Sequence, residues 1–294
     1  MHHQPVMINE VLKLIDAHSP HSRILDGTLG LGGYSEAFLD SFPECSVLGL
    51  DRDDQAIAFS RERLQAYESS SRFRALHANF GDLAGLQECR DLDAYVFDLG
   101  VSNMQLTLPE RGFSFQNDGP LDMRMNPSGQ DLPASELLRV SDADTLARIF
   151  LDYGEERYSR VIAQAIKHSH SPITTTGDLV NVIRSALPKP VQRKMGTHPA
   201  RRVFQALRIY VNNEMGELET LLYTLPSLSR NALVIFVSYH SLEDRLIKHS
   251  FRQWQADGAG KIITRHPLVP SEEETAENYK ARSAKLRAFC MNTN

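Results

Sequence analysis

Cysteine is scarce in this chain. Three stand among 294 residues, Cys45, Cys89 and Cys290, far apart and with no Cys-x-x-Cys pair. That excludes a disulfide framework and argues against a zinc site, so no metal and a reducing, cytoplasmic setting are expected. Long apolar runs are missing too. The longest clean one, Ala232 to Val237, is far too short to cross a bilayer. The opening Met1-His2-His3-Gln4-Pro5-Val6 has neither the basic start nor the apolar core of a signal peptide. No membrane association is expected. There is no internal repeat and no low-complexity tract. Nor is there an overall excess of basic charge, the net value being −5.

What is present is a regular alternation over the first hundred residues. Short apolar runs at Arg23–Asp26, Val47–Asp51, Phe73–Ala78 and Ala94–Leu99 read as strands. Helical patterns lie between them, for example Asp53 to Tyr67, with Ala56, Ile57 and Leu64 at helical spacing. Such alternation implies an α/β fold with a parallel sheet. It stops near Gln105. Residues Thr107–Pro133 are rich in Gly, Pro, Asn and Asp and read as a long loop. Helical stretches follow near Pro133–Arg139, Asp142–Phe150, Glu155–His168 and Thr176–Leu187. A hundred structureless residues inside a compact domain are improbable, so an inserted all-helical domain is expected over 105–203. It splits a sheet domain comprising 1–104 and 204–294. The sheet domain resumes with Phe204, Leu207, Val211, Met215, Leu218 and Leu222, spaced like one amphipathic helix of about five turns. Ala232–Ser238 reads as a buried strand. A helix opens at Ser241, the candidate cap, and runs to about Phe251. Lys261–Thr264 and Leu286–Met291 read as closing strands.

The run Ile24-Leu25-Asp26-Gly27-Thr28-Leu29-Gly30-Leu31-Gly32-Gly33 carries the chemistry. A strand ends in an acid, a glycine-rich turn follows, and a second strand ends in Asp51. Open α/β sheets build nucleotide sites this way, at the carboxyl ends of their strands. Glycines admit a close ligand, and the second acid can take both hydroxyls of a ribose. The dinucleotide pattern Gly-x-Gly-x-x-Gly fails, because Gly30-Leu31-Gly32-Gly33-Tyr34-Ser35 lacks the last glycine. Asp26 before the turn would repel a pyrophosphate. A ribose-bearing ligand with cationic groups and no phosphate fits better. S-adenosylmethionine (SAM) is such a ligand, against the alternative of a purely structural turn.

Charge distribution points to a nucleic acid. Between Leu179 and Asn213 stand Arg184, Lys189, Arg193, Lys194, Arg201, Arg202 and Arg208, with no Asp or Glu. A second cluster comprises Lys280, Arg282, Lys285 and Arg287. Two such clusters in an acidic chain suggest a phosphate-backbone partner rather than two solvated faces.

The fourth strand ends at Asp98-Leu99-Gly100-Val101-Ser102-Asn103-Met104-Gln105. Beside the glycine turn, this end can place a nucleophile behind the sulfonium methyl, where in-line transfer needs it. Several longer words now join it: His3-Gln4-Pro5-Val6-Met7; Arg111-Gly112-Phe113-Ser114-Phe115; Asp118-Gly119-Pro120-Leu121-Asp122-Met123-Arg124-Met125; Phe204-Gln205-Ala206-Leu207-Arg208-Ile209; His240-Ser241-Leu242-Glu243-Asp244-Arg245; and Arg282-Ser283-Ala284-Lys285-Leu286-Arg287. With these the chain resembles the RsmH (MraW) family of ribosomal-RNA methyltransferases over nearly its whole length. The resemblance implies a Rossmann-like SAM-dependent methyltransferase that acts on N4 of a cytidine in small-subunit (16S) ribosomal RNA. It also implies that the helical insertion recognises the substrate. The implied SAM contacts are Gly32, Gly33, Tyr34, Asp51, Phe80 (beside the adenine), Asp98 and Gln105. The chain departs from the family at three points. Tyr34 replaces a histidine, Asn103-Met104 replaces Ser-Pro, and Tyr239 stands where phenylalanine is common.

Some roles come from the residues themselves. Asp98 and His240 are candidates to accept the proton released from the amine; the alternative for His240 is to shape a helix N-terminus. Asp122 and Arg124 could contact RNA or form a loop-fixing ion pair. No cysteine follows a proline, which disfavours cytosine C5 chemistry, and no Pro-Pro-aromatic word of DNA amino-methyltransferases follows Asp98. The competing readings are a small-molecule methyltransferase, which needs no basic stripe, and a catalytically silent RNA-binding assembly factor. The expected partner is 16S RNA within the small ribosomal subunit, and a homodimer is an allowed assembly.

Overall fold

The computed structural model describes residues 5–19, 22–195 and 198–292; His3 and Gln4 of the N-terminal word lie outside them. The strands form as their apolar runs dictate: β1 Arg23–Asp26, β2 Ser46–Asp51, β3 Phe73–His77, β4 Ala94–Asp98, β5 Leu233–Ser238, β6 Gly260–Ile262 and β7 Lys285–Met291. They make one sheet in the order β3-β2-β1-β4-β5-β7-β6. The first five are parallel neighbours, while β7 runs antiparallel to β5 and to β6. β5 is buried at every position, as its unbroken apolar sequence requires of a central strand. This is the Rossmann-like, mostly parallel α/β sheet expected from the alternation. The strand order reverses between β1 and β4, the switch point at whose carboxyl edge such sheets bind ligands.

Two compact units emerge. One comprises residues 1–100 and 215–294, the other Val101–Glu214. In the sheet unit helices cover both faces. Val11, Ile15, Phe38 and Leu39 pack with Ile24 and Val96 on one side. Leu218, Leu222, Leu225, Phe251 and Trp254 pack with Leu25, Phe97 and Phe236 on the other. Phe97 and Phe236 stack at 4.9 Å, and each such buried ring contributes about 1.5–3 kcal/mol.

The other unit is helical, with helices at Ala134–Val140, Ala143–Asp152, Ser159–Lys167, Thr176–Ala186, Lys189–Lys194 and Arg201–Val211 around Phe150, Ile162, Leu179, Ile183 and Leu207. Thr175 and Asp178 form a reciprocal capping box at one helix start. The long loop is ordered from within. Arg111 donates to the carbonyls of Arg124 and Met125. Asn212 accepts from Met125 N and donates to Met123 O, both at 2.7 Å.

Four local readings change. The apparent five-turn helix from Phe204 to Leu222 is two helices, Arg201–Val211 and Glu214–Leu228, broken where Asn213 takes φ 49°. Phe204, Leu207 and Val211 belong to the helical unit's core and Leu218 and Leu222 to the sheet's. The helical unit therefore runs beyond residue 203, to Glu214. The pattern over Asp53–Tyr67 also breaks, into Asp54–Arg63 and Gln65–Ser69. The helix expected from Glu155 starts at Ser159, because Glu155 takes φ 49°. The helix expected to be capped by Ser241 is capped by His240 and extends to Ala256.

Candidate active site

The carboxyl edge of the sheet gathers the acids that end β1, β2 and β4. Asp26 is buried and accepts from Ser35 Oγ at 2.7 Å. Asp51 accepts from the Gly30 amide at 2.7 Å and from Asp53 N at 2.9 Å, which ties the end of β2 to the glycine turn. Asp98 Oδ1 accepts from the Tyr239 hydroxyl at 2.6 Å, and Asp98 N donates to Thr28 Oγ1 at 2.7 Å. Burial pushes the carboxyls of Asp26 and Asp51 up to about 6 and that of Asp98 up to about 7. Burial also lowers the Lys280 ammonium to about 8, against the opposing pull of Asp98. Low-dielectric surroundings disfavour each charged form.

The glycine turn is shaped for close approach. Gly32 takes φ +76°, where a Cβ would also crowd Ser60 and Leu64 at 3.2 Å. A Cβ on Gly33 would meet the Pro5 ring at 2.9 Å. Tyr34 is buried and its hydroxyl donates to the Val6 carbonyl, so its side chain is engaged with the N-terminal segment. Phe80 opens a short 3-10 turn, is half-buried, and meets Phe97 edge-on at 6.2 Å. Such a ring can flank a flat heterocycle.

These residues fit SAM. Its ribose can use the Asp51 carboxylate, its ring Phe80, and its positive centres the buried acids. A phosphate would meet carboxylates instead. Gln105 lies in the helical unit. It is buried, and its Oε1 accepts from Ser102 N in a reciprocal capping box that starts the helix Asn103–Thr107. This is the local role the structure gives it.

His240 caps the helix Ser241–Ala256. Its Nδ1 accepts from Glu243 N at 3.4 Å, while Nε2 stands 3.1 Å from Glu243 Oε1, out of hydrogen-bond alignment. The helix-shaping alternative thus describes its geometry. Asp122 and Arg124 form a bidentate ion pair at 2.7 and 2.8 Å, the loop-fixing alternative.

The two basic clusters part ways. In the helical unit Arg184, Lys189, Arg193, Lys194, Arg201 and Arg202 are exposed. Arg208 is withdrawn into a bidentate pair with Glu214. The C-terminal cluster is not a phosphate-facing patch. Lys285 and Arg287 both pair with Asp244 and Lys280 is half-buried, which leaves Arg282 exposed. β7 is buried along most of its length and its two bases share one acid, and linear charge counting does not see that. Two neighbours of Asp98 carry no local signal in the sequence: Tyr239, which donates to it, and Lys280, whose charge acts on it. Tyr239 and Asp98 are 141 residues apart, and no local pattern links them. No helix among the described residues is long and apolar enough to cross a membrane.

The chain is similar to known proteins over nearly its whole length. A protein of Pseudothermotoga lettingae called ribosomal RNA small subunit methyltransferase H is 42% identical over 290 residues, covering 97% of both chains. Its namesake in Crocosphaera subtropica is 43% identical over 286 residues, covering 97% of this chain and 88% of the relative. That of Rickettsia bellii is 41% identical over 306 aligned positions, covering 97% of each. The MraW methylase family matches residues 1–291, and this chain belongs to it.

Proposed function

We propose that this protein transfers the methyl group of SAM to N4 of a cytidine in small-subunit (16S) ribosomal RNA. The observation that carries the reading is the Asp98 carboxylate at the carboxyl edge of β4. One oxygen is fixed by Tyr239, and Oδ2 has no hydrogen-bond partner among the described residues. When bound, SAM supplies an electrophilic methyl group. Gly32, Gly33, Asp51 and Phe80 hold it, and the negative edge of the sheet favours its charge.

Cytosine N4 is a poor nucleophile because its lone pair is delocalised into the ring. As the nitrogen becomes tetrahedral and partly positive, Asp98 stabilises it and accepts one of its protons, which then passes to solvent. A group titrating near 7 suits that task at neutral pH. The alternative acceptor, C5, needs a thiolate, and the thiols are in the wrong place. Cys45 and Cys89 precede β2 and β4, and Cys290 pairs with Leu233 at the start of β5. All three therefore lie toward the opposite edge of the sheet from Asp98, and burial raises each thiol above its ordinary value. The exposed bases of the helical unit are the proposed contact for RNA phosphates.

The test is to incubate the protein with tritiated SAM and isolated small subunits, digest the RNA, and identify the labelled nucleoside. N4-methylcytidine is expected. Label in 5-methylcytidine or a methylated adenosine overturns the reading.

A further inference from the structure

We infer that Tyr239 is a positioning residue for methyl transfer, its hydroxyl holding Asp98 Oδ1 so that Oδ2 meets the acceptor amine in one fixed orientation. The inference rests on the assignment of Asp98 as proton acceptor given above. The backbone of Asp98 is already fixed, by pairing with Val237 and by the bond from its N to Thr28 Oγ1. What remains free is rotation about its two side-chain torsions, the last of them broad and soft. The 2.6 Å bond from Tyr239 removes that freedom.

Tyr239 is itself anchored. It stands just past the end of β5, its N donates to Glu243 Oε2 at 2.8 Å, and its ring lies beside Gly100, where a Cβ would sit 3.6 Å from Cδ2. Burial keeps the phenol protonated far above neutrality. The phenol therefore donates and the carboxylate accepts. A phenylalanine at this position would have no such donor.

The hydroxyl also bears on the proton state of Asp98. The groups acting on it are Tyr239 from the end of β5, Asp26 from β1, Lys280 from the segment Tyr279–Ser283 and Glu243 from the helix after β5; the Tyr34 phenol, from the helix after the glycine turn, feels its charge and stays neutral. Tyr239 and Lys280 favour the carboxylate; Asp26, Glu243 and burial oppose it. Removing the hydroxyl therefore raises the pH at which Asp98 becomes a competent acceptor.

The experiment measures single-turnover methylation of small subunits with tritiated SAM, from pH 5.5 to 9, for the wild type, Tyr239→Phe, Asp98→Asn and the double variant. Thermal unfolding confirms that each folds. For Tyr239→Phe we expect a rate lower by about tenfold at pH 7. Its acid limb should move up by about one pH unit, recovering partly at high pH, with SAM affinity unchanged at the alkaline end, where Asp98 is ionised in both proteins. In the Asp98→Asn background the second change should add nothing, because the two act as one unit. An unmoved acid limb and rate in Tyr239→Phe, with Asp98→Asn inactive, overturns this inference and leaves the role of Asp98 standing. An active Asp98→Asn overturns both.

Discussion

The two units of this protein use charge in opposite ways. The sheet unit buries acids at one edge, where desolvation raises Asp26, Asp51 and Asp98 above the ordinary carboxylate range. The helical unit exposes bases on short helices and loops. A charge inside a low-dielectric edge acts strongly on whatever lies within a few ångströms. An exposed charge acts weakly, over a longer range, and is screened by salt. The first arrangement suits placing and activating one atom. The second suits holding a long polyanion whose sequence is read elsewhere. Each charge in the sheet unit should therefore matter greatly and resist salt, and each in the helical unit should matter little and depend on it.

Replacing Asp98 with Asn should break the first half of that contrast most severely. The shape stays and the charge goes, so single-turnover methylation should fall on the order of a hundredfold or more. A wild-type rate with normal SAM binding would reduce Asp98 to a strand cap.

Asp51→Ala should weaken SAM binding by about 1.5–3 kcal/mol, because it removes the acid at the end of β2 and frees the Gly30 amide. Calorimetry on the folded variant checks this, and unchanged affinity removes Asp51 from the site. The wild type offers a related test in pH. The raised values of Asp26 and Asp51 mean that the SAM-free protein holds protons that a cationic ligand must displace. Affinity should therefore fall as pH drops through about 6 and level off above it, with proton release on binding near that pH. A flat profile from pH 5 to 8 would disconnect these acids from the ligand. The sign is opposite for folding. The raised carboxyls favour the fold in their protonated forms, and that contribution is lost as pH rises through about 6 to 7.

Smaller effects per residue are expected from the helical unit. Replacing Arg193, Lys194, Arg201 and Arg202 with Ala should lower the log–log salt slope of RNA binding by about 0.7–0.9 for each phosphate left without its base, while SAM affinity stays put. An unaltered slope would make this a solvated surface. The smallest effect belongs to Arg282→Ala. It is the exposed member of a cluster whose other members are paired or half-buried, so RNA affinity should change by less than about 1 kcal/mol. A large drop there would restore the C-terminal cluster as an RNA-binding patch.

How much of this was legible in the chain differs from element to element. The strand ends at Asp26, Asp51 and Asp98 were readable because apolar runs of strand length stop at an acid, and burial and turn chemistry are local signals. The helix stops were harder. Phe204 to Leu222 keeps perfect helical spacing across the break at Asn213, since both helices happen to present an apolar face in phase. His240 read as a candidate base because an imidazole beside a strand end is chemically suggestive. Its capping geometry with Glu243 appears only once the helix has a direction. The role of Gln105 was likewise inferred from a resemblance, whereas its place in a capping box with Ser102 is a matter of local backbone geometry.

The sequence by itself determined the alternation of strands and helices, the glycine turn, the acids that end the strands, and the interruption by a helical segment. All of these follow from periodicity and turn preferences acting over a few residues. Only the tertiary structure decided which charges remain free. It joined Lys285 and Arg287 to Asp244 and Tyr239 to Asp98, across 41 to 141 residues. Pairings of that kind depend on strand order and register, which bring together groups that no local pattern in the chain connects.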